Sequence, residues 1–249
     1  MAPIVELIDV HKSFESTPVL RGVSLALPKG ETHVVMGGSG SGKTVMLRLT
    51  AGLIRPDSGQ INLLGTSIER LSEEALLPLR RRLGYVFQGA ALFDSLSVYE
   101  NVAYPLREHQ RLAEDAIHAR VVHVLGLVGL GAEILRLLPA ELSGGMRKRV
   151  GIARAIAGEP EVLLFDEPTA GLDPTNSKLV VELIGELRAG VCDTAMIVTH
   201  DLDVAKAIAD RVSILMNGCF AVTGPLDAVL ESPDPSVQAF LAGELRVTS

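Results

Sequence analysis

Residues 37–44 read Gly37-Gly38-Ser39-Gly40-Ser41-Gly42-Lys43-Thr44, between the apolar run Thr32-His33-Val34-Val35-Met36 and the helical stretch Val45-Met46-Leu47-Arg48-Leu49. The pattern is Gly-x-x-x-x-Gly-Lys-[Ser/Thr], set between a strand and a helix. Its glycines let successive backbone N–H groups turn toward an anion, and the new helix adds the positive end of its dipole. Such a loop cradles phosphates, with Lys43 reaching the β- and γ-phosphates and the Thr44 hydroxyl ligating Mg²⁺. The plain alternative is a glycine-rich turn at a helix start.

Around this loop, short β-type runs alternate with helical ones. The runs are Ile4 to Val10, Val23 to Leu27, Thr32 to Met36, Gln60 to Leu63, Leu83 to Phe87, Val162 to Asp166, Ala195 to Val198 and Val212 to Met216. Most are continuously apolar, as in strands covered on both faces, so the fold class is α/β. Between Leu92 and Ala157 the alternation stops and helical periodicity takes over, with Ile117, Val121, Val124, Leu125 and Val128 on one face. This predicts an inserted helical subdomain whose helices are broken at Gly126, Gly129 and Gly131, with Pro139 preceding the next. Near the end, Ser232-Pro233-Asp234-Pro235 signals a turn or helix start, followed by Val237, Phe240 and Leu241 on one helical face.

A chain of 249 residues can bury a substantial core, as one large domain or a domain with a subdomain. A net charge of −7 argues against a nucleic-acid partner bound through a broad basic surface. The basic cluster Arg80-Arg81-Arg82 reads as the last turn of a helix. Cys192 and Cys219 lie in no metal-ligand spacing and read as structural residues in a reducing compartment. The N-terminus lacks a signal pattern, and charges or glycines interrupt every apolar stretch before it could span a bilayer.

A phosphate loop leaves kinase, GTPase and ATPase open. Val162-Leu163-Leu164-Phe165-Asp166-Glu167 is an apolar strand ending in two acids. Asp166 is placed to hold Mg²⁺ through water, and Glu167 to orient and polarise the attacking water. Leu142-Ser143-Gly144-Gly145-Met146 opens a further helix, where Ser143 and the following N–H groups form a second anion site.

With these motifs in this order the chain resembles the ATP-binding cassette (ABC) ATPases, from about Ile4 to the tail. The resemblance implies an ABC-type P-loop NTPase with a RecA-like mixed sheet core and an inserted helical subdomain. Residues 1–89 and 158–231 would form the nucleotide-binding core, 90–157 the helical subdomain and 232–249 a C-terminal tail. It also implies that Phe14 stacks on adenine, that Gln88 senses Mg²⁺ and the γ-phosphate, and that Ser143, Gly144, Gly145 and Met146 form the signature loop. Gly171-Leu172-Asp173 would line a dimer interface, and His200 would be the switch histidine. His11, His33, His109, His118 and His123 have no such support and read as structural. Two copies would pair head to tail, because the signature helix in this family lies too far from its own nucleotide. Each ATP is then held between Lys43 of one copy and Ser143, Gly144 and Gly145 of the other.

Within the family, Met146 stands where Gln is common and Asp94 where Pro is frequent. These features, with the stretch from Glu100 to His109 and that from Ser232 to Leu241, are similar to the ATPase subunit of Mce-type phospholipid transporters, the maintenance-of-lipid-asymmetry system. The resemblance implies permease subunits, a periplasmic Mce-domain protein, sometimes a small cytosolic accessory protein, and a peripheral place on the cytoplasmic face of a bacterial inner membrane. Leu92, Phe93, Leu96, Val98 and Tyr99, next to Gln88, would meet the permease. A transporter of an amino acid or a lipoprotein, or a soluble ABC protein of translation or DNA repair, are the alternatives.

Overall fold

The computed structural model describes residues 2–109 and 112–243. Cα packing divides them into two compact units, one formed by residues up to Arg80 together with those from Thr194 onward, the other by residues 81–193. The first unit begins with β1 (Val5–Phe14), β2 (Thr17–Leu27), β3 (Thr32–Met36), α1 (Lys43–Thr50), β4 (Ser58–Leu63), β5 (Thr66–Ser67) and α2 (Glu73–Arg80). The second carries β6 (Leu83–Val86), α3 (Val98–His109), α4 (Glu114–Leu127), α5 (Gly144–Ile156), β7 (Val162–Asp166) and α6 (Pro174–Gly190). The chain returns to the first with β8 (Ala195–Thr199), α7 (Leu202–Ile208), β9 (Arg211–Met216), β10 (Cys219–Gly224), α8 (Leu226–Leu230) and α9 (Pro235–Leu241).

In the first unit β1 pairs antiparallel with β2 and β4, and β5 extends the edge beyond β4. Val5, Leu7 and Val10 are buried while Ile8 and Asp9 face outward, so one face of this sheet is covered and the other wet. The second sheet of the unit runs β9, β3 and β8 in parallel, with β10 antiparallel outside β9. Every residue of β3 and of β8 is buried, as their continuous apolar runs require. Helix α1 has eight residues, too few to persist alone. Met46, Leu47 and Leu49 are fully buried, each contributing about 2 kcal/mol relative to exposure, and this packing holds the helix behind the phosphate loop.

In the second unit β6 and β7 pair in parallel, Leu83 opposite Val162 and Val86 opposite Phe165. Helices α3, α4 and α5 pack on one another. The predicted face of α4 is the observed one, since Ile117, Val121, Val124, Leu125 and Val128 are all buried. Gly126 does not break this helix but lies in its last turn; Gly129, at φ 66°, ends it in the left-handed conformation that favours glycine. Of the basic triplet only Arg80 belongs to a helix, while Arg82 pairs with Glu161. The sequence reading omits β5, which is two residues long, and the edge strand β10, whose residues alternate between exposed and half-buried as far as Thr223. Residues 244–249 of the expected tail and the side chain of His109 lie outside the described residues.

Candidate functional site

In the first unit the phosphate loop leaves β3 at its carboxyl end. Met36 is opposite Thr199 of β8, so Gly37 and His200 emerge side by side from neighbouring parallel strands. This is the end of a parallel sheet at which ligands bind. Gly42, the N-cap of α1, has φ 105°, and a Cβ there would stand 2.8 Å from Leu20 Cδ2, so only glycine fits. Lys43 is buried and its Nζ donates to Gly37 O at 2.8 Å and Gly38 O at 3.0 Å, which folds the ammonium over its own loop. Thr44 follows in the first turn of α1.

Beside the loop lies a groove of about 440 Å³ lined by Thr17, Pro18, Val19, Arg21, Gly40 and Ser41, with Asn217 and Gly218. Its volume lies in the range of small-molecule sites. Ser41 Oγ, in the loop itself, is buried and meets no hydrogen-bond partner, an orphaned donor of the kind a phosphate oxygen satisfies. Phe14 ends β1 and is 46% exposed, with Lys12 Nζ 5.5 Å from its ring centroid. An exposed aromatic at the end of a strand is available for stacking.

The second unit carries the remaining predicted residues. The pairing of Val86 with Phe165 in adjacent parallel strands sets Gln88 and Glu167 level, each two residues beyond that pair. Asp166 is 3% exposed and Tyr85 Oη lies 3.5 Å from its Oδ2. Glu167 is buried too and has φ 47°, a conformation that costs a non-glycine residue on the order of 1–3 kcal/mol and recurs at functional sites. Gln88 is exposed. Each predicted ligand, Thr44 in the first unit and Gln88 and Asp166 in the second, offers a hard oxygen donor, the kind that Mg²⁺ takes, an ion that keeps several waters and needs few protein ligands.

Ser143 is the N-cap of α5 and accepts from Met146 N at 3.2 Å. Asp173 caps α6 in the same way, accepting from Asn176 N at 3.0 Å and from Asn176 Nδ2 at 2.6 Å. Its carboxyl pKa is lowered, chiefly by the Asn176 backbone N–H. Asn176 also fills the space beside Gly145, where a Cβ would stand 2.5 Å from its Oδ1. One side chain thus joins the Ser143 loop to the loop ending in Asp173.

Two residues escaped the sequence reading. Lys148 is 4% exposed and donates to Gln88 O at 2.5 Å and Glu167 O at 3.3 Å. Arg154 donates to Ala90 O and Ala91 O, each at 2.8 Å. Burial lowers the pKa of both, although the Asp166 and Glu167 carboxylates act in the opposite sense on Lys148. A signal was available in Arg147-Lys148-Arg149, three cations in the first turns of a helix, where its dipole disfavours them.

A family model described as ABC transporter matches residues 20–170, more than half of the chain. The chain belongs to the ABC transporter family, as an ATP-binding subunit. This ABC protein is 40% identical over 243 residues to the intermembrane phospholipid transport system ATP-binding protein MlaF of Escherichia coli K12, covering 98% of the chain and 90% of the relative. It is also 40% identical to the probable ribonucleotide transport ATP-binding protein mkl of Mycobacterium bovis, over 98% of the chain and 67% of the relative. The methionine import ATP-binding protein MetN of Mesorhizobium japonicum is 40% identical over 98% of the chain and 66% of its own length. Among solved structures, the dimeric post-hydrolysis state of the cassette MJ0796 bound to ADP and Pi matches with a TM-score of 0.82 and 31% identity, over 89% of this chain and 98% of that one. The CbiO1 structure from Clostridium perfringens matches with a TM-score of 0.83 and 30% identity, over 97% and 96%. The ABC cassette is therefore an ATPase that hydrolyses ATP to ADP and phosphate. Among the described residues, no helix is long and apolar enough to cross a membrane.

Proposed function

We propose that this ATPase is the motor subunit of a transporter that moves phospholipid between the inner and outer membranes of a bacterium, from the cytoplasmic face of the inner membrane. The observation that carries the reading is the match to MlaF along nine-tenths of that protein's length, where mkl and MetN match over two-thirds of theirs. Met146, Asp94 and the stretch from Ser232 to Leu241 support it.

In this reading Phe14 stacks on adenine. Gly37, Gly38, Ser39, Gly40, Ser41 and Gly42 present backbone N–H groups to the phosphates, and Lys43 exchanges its two carbonyl partners for phosphate oxygens. Thr44, Gln88 and Asp166 would hold Mg²⁺, which supplies neutralisation of the phosphate charge. Glu167 orients and polarises the water, and His200 steadies the γ-phosphate. Ser143, Gly144 and Gly145 bind the nucleotide of a second copy, with Asp173 lining the interface between copies. The rings of Phe93 and Tyr104, 44% and 43% exposed with centroids 4.9 Å apart, give a membrane permease an apolar foothold next to Gln88. Val98, fully buried, belongs to the core of its unit. A Mce-domain protein and a small accessory subunit complete the complex.

Purification of the tagged chain from its native membrane in mild detergent, with mass spectrometry of proteins and lipids, tests the reading. A permease, a Mce-domain subunit and bound phospholipid are expected. Recovery of a permease with a soluble solute-binding protein and no lipid would transfer the chain to the importers of other solutes.

A further inference from the structure

Helix α5 spends its basic side chains on main-chain carbonyls. Arg147 donates to Leu142 O at 2.6 Å, and Arg149 to Val128 O and Gly129 O at 3.3 and 3.0 Å. Lys148 and Arg154 face the segment after β6, where Ala90 and Ala91 hold φ values of 61° and 48°. Gly151, between them on the same face, is pressed so closely on that segment that a Cβ would stand 3.0 Å from Ala90 Cβ. Three successive points along α5 therefore grip residues 88–91.

Lys148 differs from the other cations of the helix because it also reaches β7's end. Its ammonium joins the carbonyl of Gln88 to that of Glu167, a carbonyl that also accepts from Ala170 N at 3.2 Å. Glu167 holds its left-handed conformation between these two donors. A buried ammonium satisfied by carbonyls at two separate loops fixes both loops relative to the helix that carries it, since releasing either would leave a desolvated charge short of a partner.

We propose that Lys148 is a positioning residue for ATP hydrolysis: it fixes the Glu167 main chain and the Gln88 loop against the signature helix, so that the Glu167 carboxylate is aimed at the attacking water. The inference rests on the role given to Glu167 above.

The test uses the purified full chain with MgATP, comparing Lys148→Met, which keeps the apolar stem, with Lys148→Arg, which keeps charge and donors. The expected result for Lys148→Met is a kcat about 10- to 100-fold lower, with KM for ATP within about threefold of wild type and the melting temperature nearly kept, because small misplacements of a reacting group cost this much. Lys148→Arg recovers part of the lost kcat. Should Lys148→Met fail to fold, Lys148→Gln, with a neutral donor, is held to the same criterion. Unchanged kcat, a raised KM with kcat kept, or a loss of kcat that only follows the folded fraction would each overturn the proposal. Glu167→Gln is assayed in parallel. Its inactivity beside a normal Lys148→Met rejects the positioning role alone, whereas its normal turnover removes Glu167 from water activation and the proposal with it.

Discussion

His33 lies in β3, the strand that feeds the phosphate loop, and is 1% exposed. Its Nε2 shares a hydrogen bond of 2.8 Å with Ser213 Oγ, which shares another of 2.8 Å with Thr223 Oγ1, while Nδ1 is buried without a partner. Burial foremost, and then the charge of Arg211, pushes the His33 pKa down to about 4. Above pH 6.5 the ring is neutral both folded and unfolded, and its full contribution to stability is present. As pH falls toward 4, the unfolded chain takes up a proton that the folded chain refuses, and about 3 kcal/mol of stability is lost across that window. His33→Gln keeps a donor for Ser213 and cannot titrate. Urea unfolding between pH 7 and pH 4.5 should show a shallower fall for the variant, and coincident slopes would remove His33 as the source. Lys43, Asp166 and Glu167 could be singled out in the sequence because the chemistry proposed for them depends on residue type and order. Lys148 was not, since a lysine in a helix reads as solvated and its partners are carbonyls, which every residue possesses.

Elements were legible to the extent that burial is uniform along them. Strands β3 and β7 match their predicted bounds because each is covered on both faces and reads as an unbroken apolar run. Edge strand β10, with Cys219, Ala221 and Thr223 turned to solvent, leaves too weak an apolar pattern to announce itself. The tail helix α9 was readable from Asp234 and Pro235, which cap and start it; Asp234 Oδ1 accepts from Ser236 N at 2.8 Å. Its seven residues cannot persist without docking. Val237 is fully buried, and Gln238 Nε2 donates to Leu230 O and Ser232 O at 2.9 and 2.8 Å. Phe240 and Leu241 are only half-buried. Val237→Ala should therefore destabilise the isolated chain by about 2 kcal/mol, more than Phe240→Ala does. Thermal melting of the two variants decides the order, and a larger effect at Phe240 would reverse the assignment of the anchor.

At the scale of the molecule, head-to-tail pairing makes a prediction that a self-sufficient subunit does not. On the proposed reading, Lys43→Ala removes the cation that meets the phosphates of the chain's own nucleotide. On the same reading, Gly144→Asp sets a negative charge against the nucleotide of the other copy. The substitution suits the fold: a Cβ at 144 has only Leu172 Cδ2 nearby, at 3.9 Å, and an acid in the first turn of α5 is favoured by the helix dipole. Homogeneous pairs of either variant carry two damaged sites and should hydrolyse ATP slowly. In a mixed pair, one site combines both defects, while the other joins an intact Lys43 to an intact Gly144. Equal mixing should thus restore about one quarter of the wild-type rate, because about half of random pairs are mixed and each keeps one of two sites. If Lys43 and Gly144 of the same chain served one nucleotide, no mixed pair would contain an undamaged site. Phosphate release from the mixture, compared with the sum of the two variants assayed separately, separates the arrangements, and a rate no higher than that sum would reject the shared site.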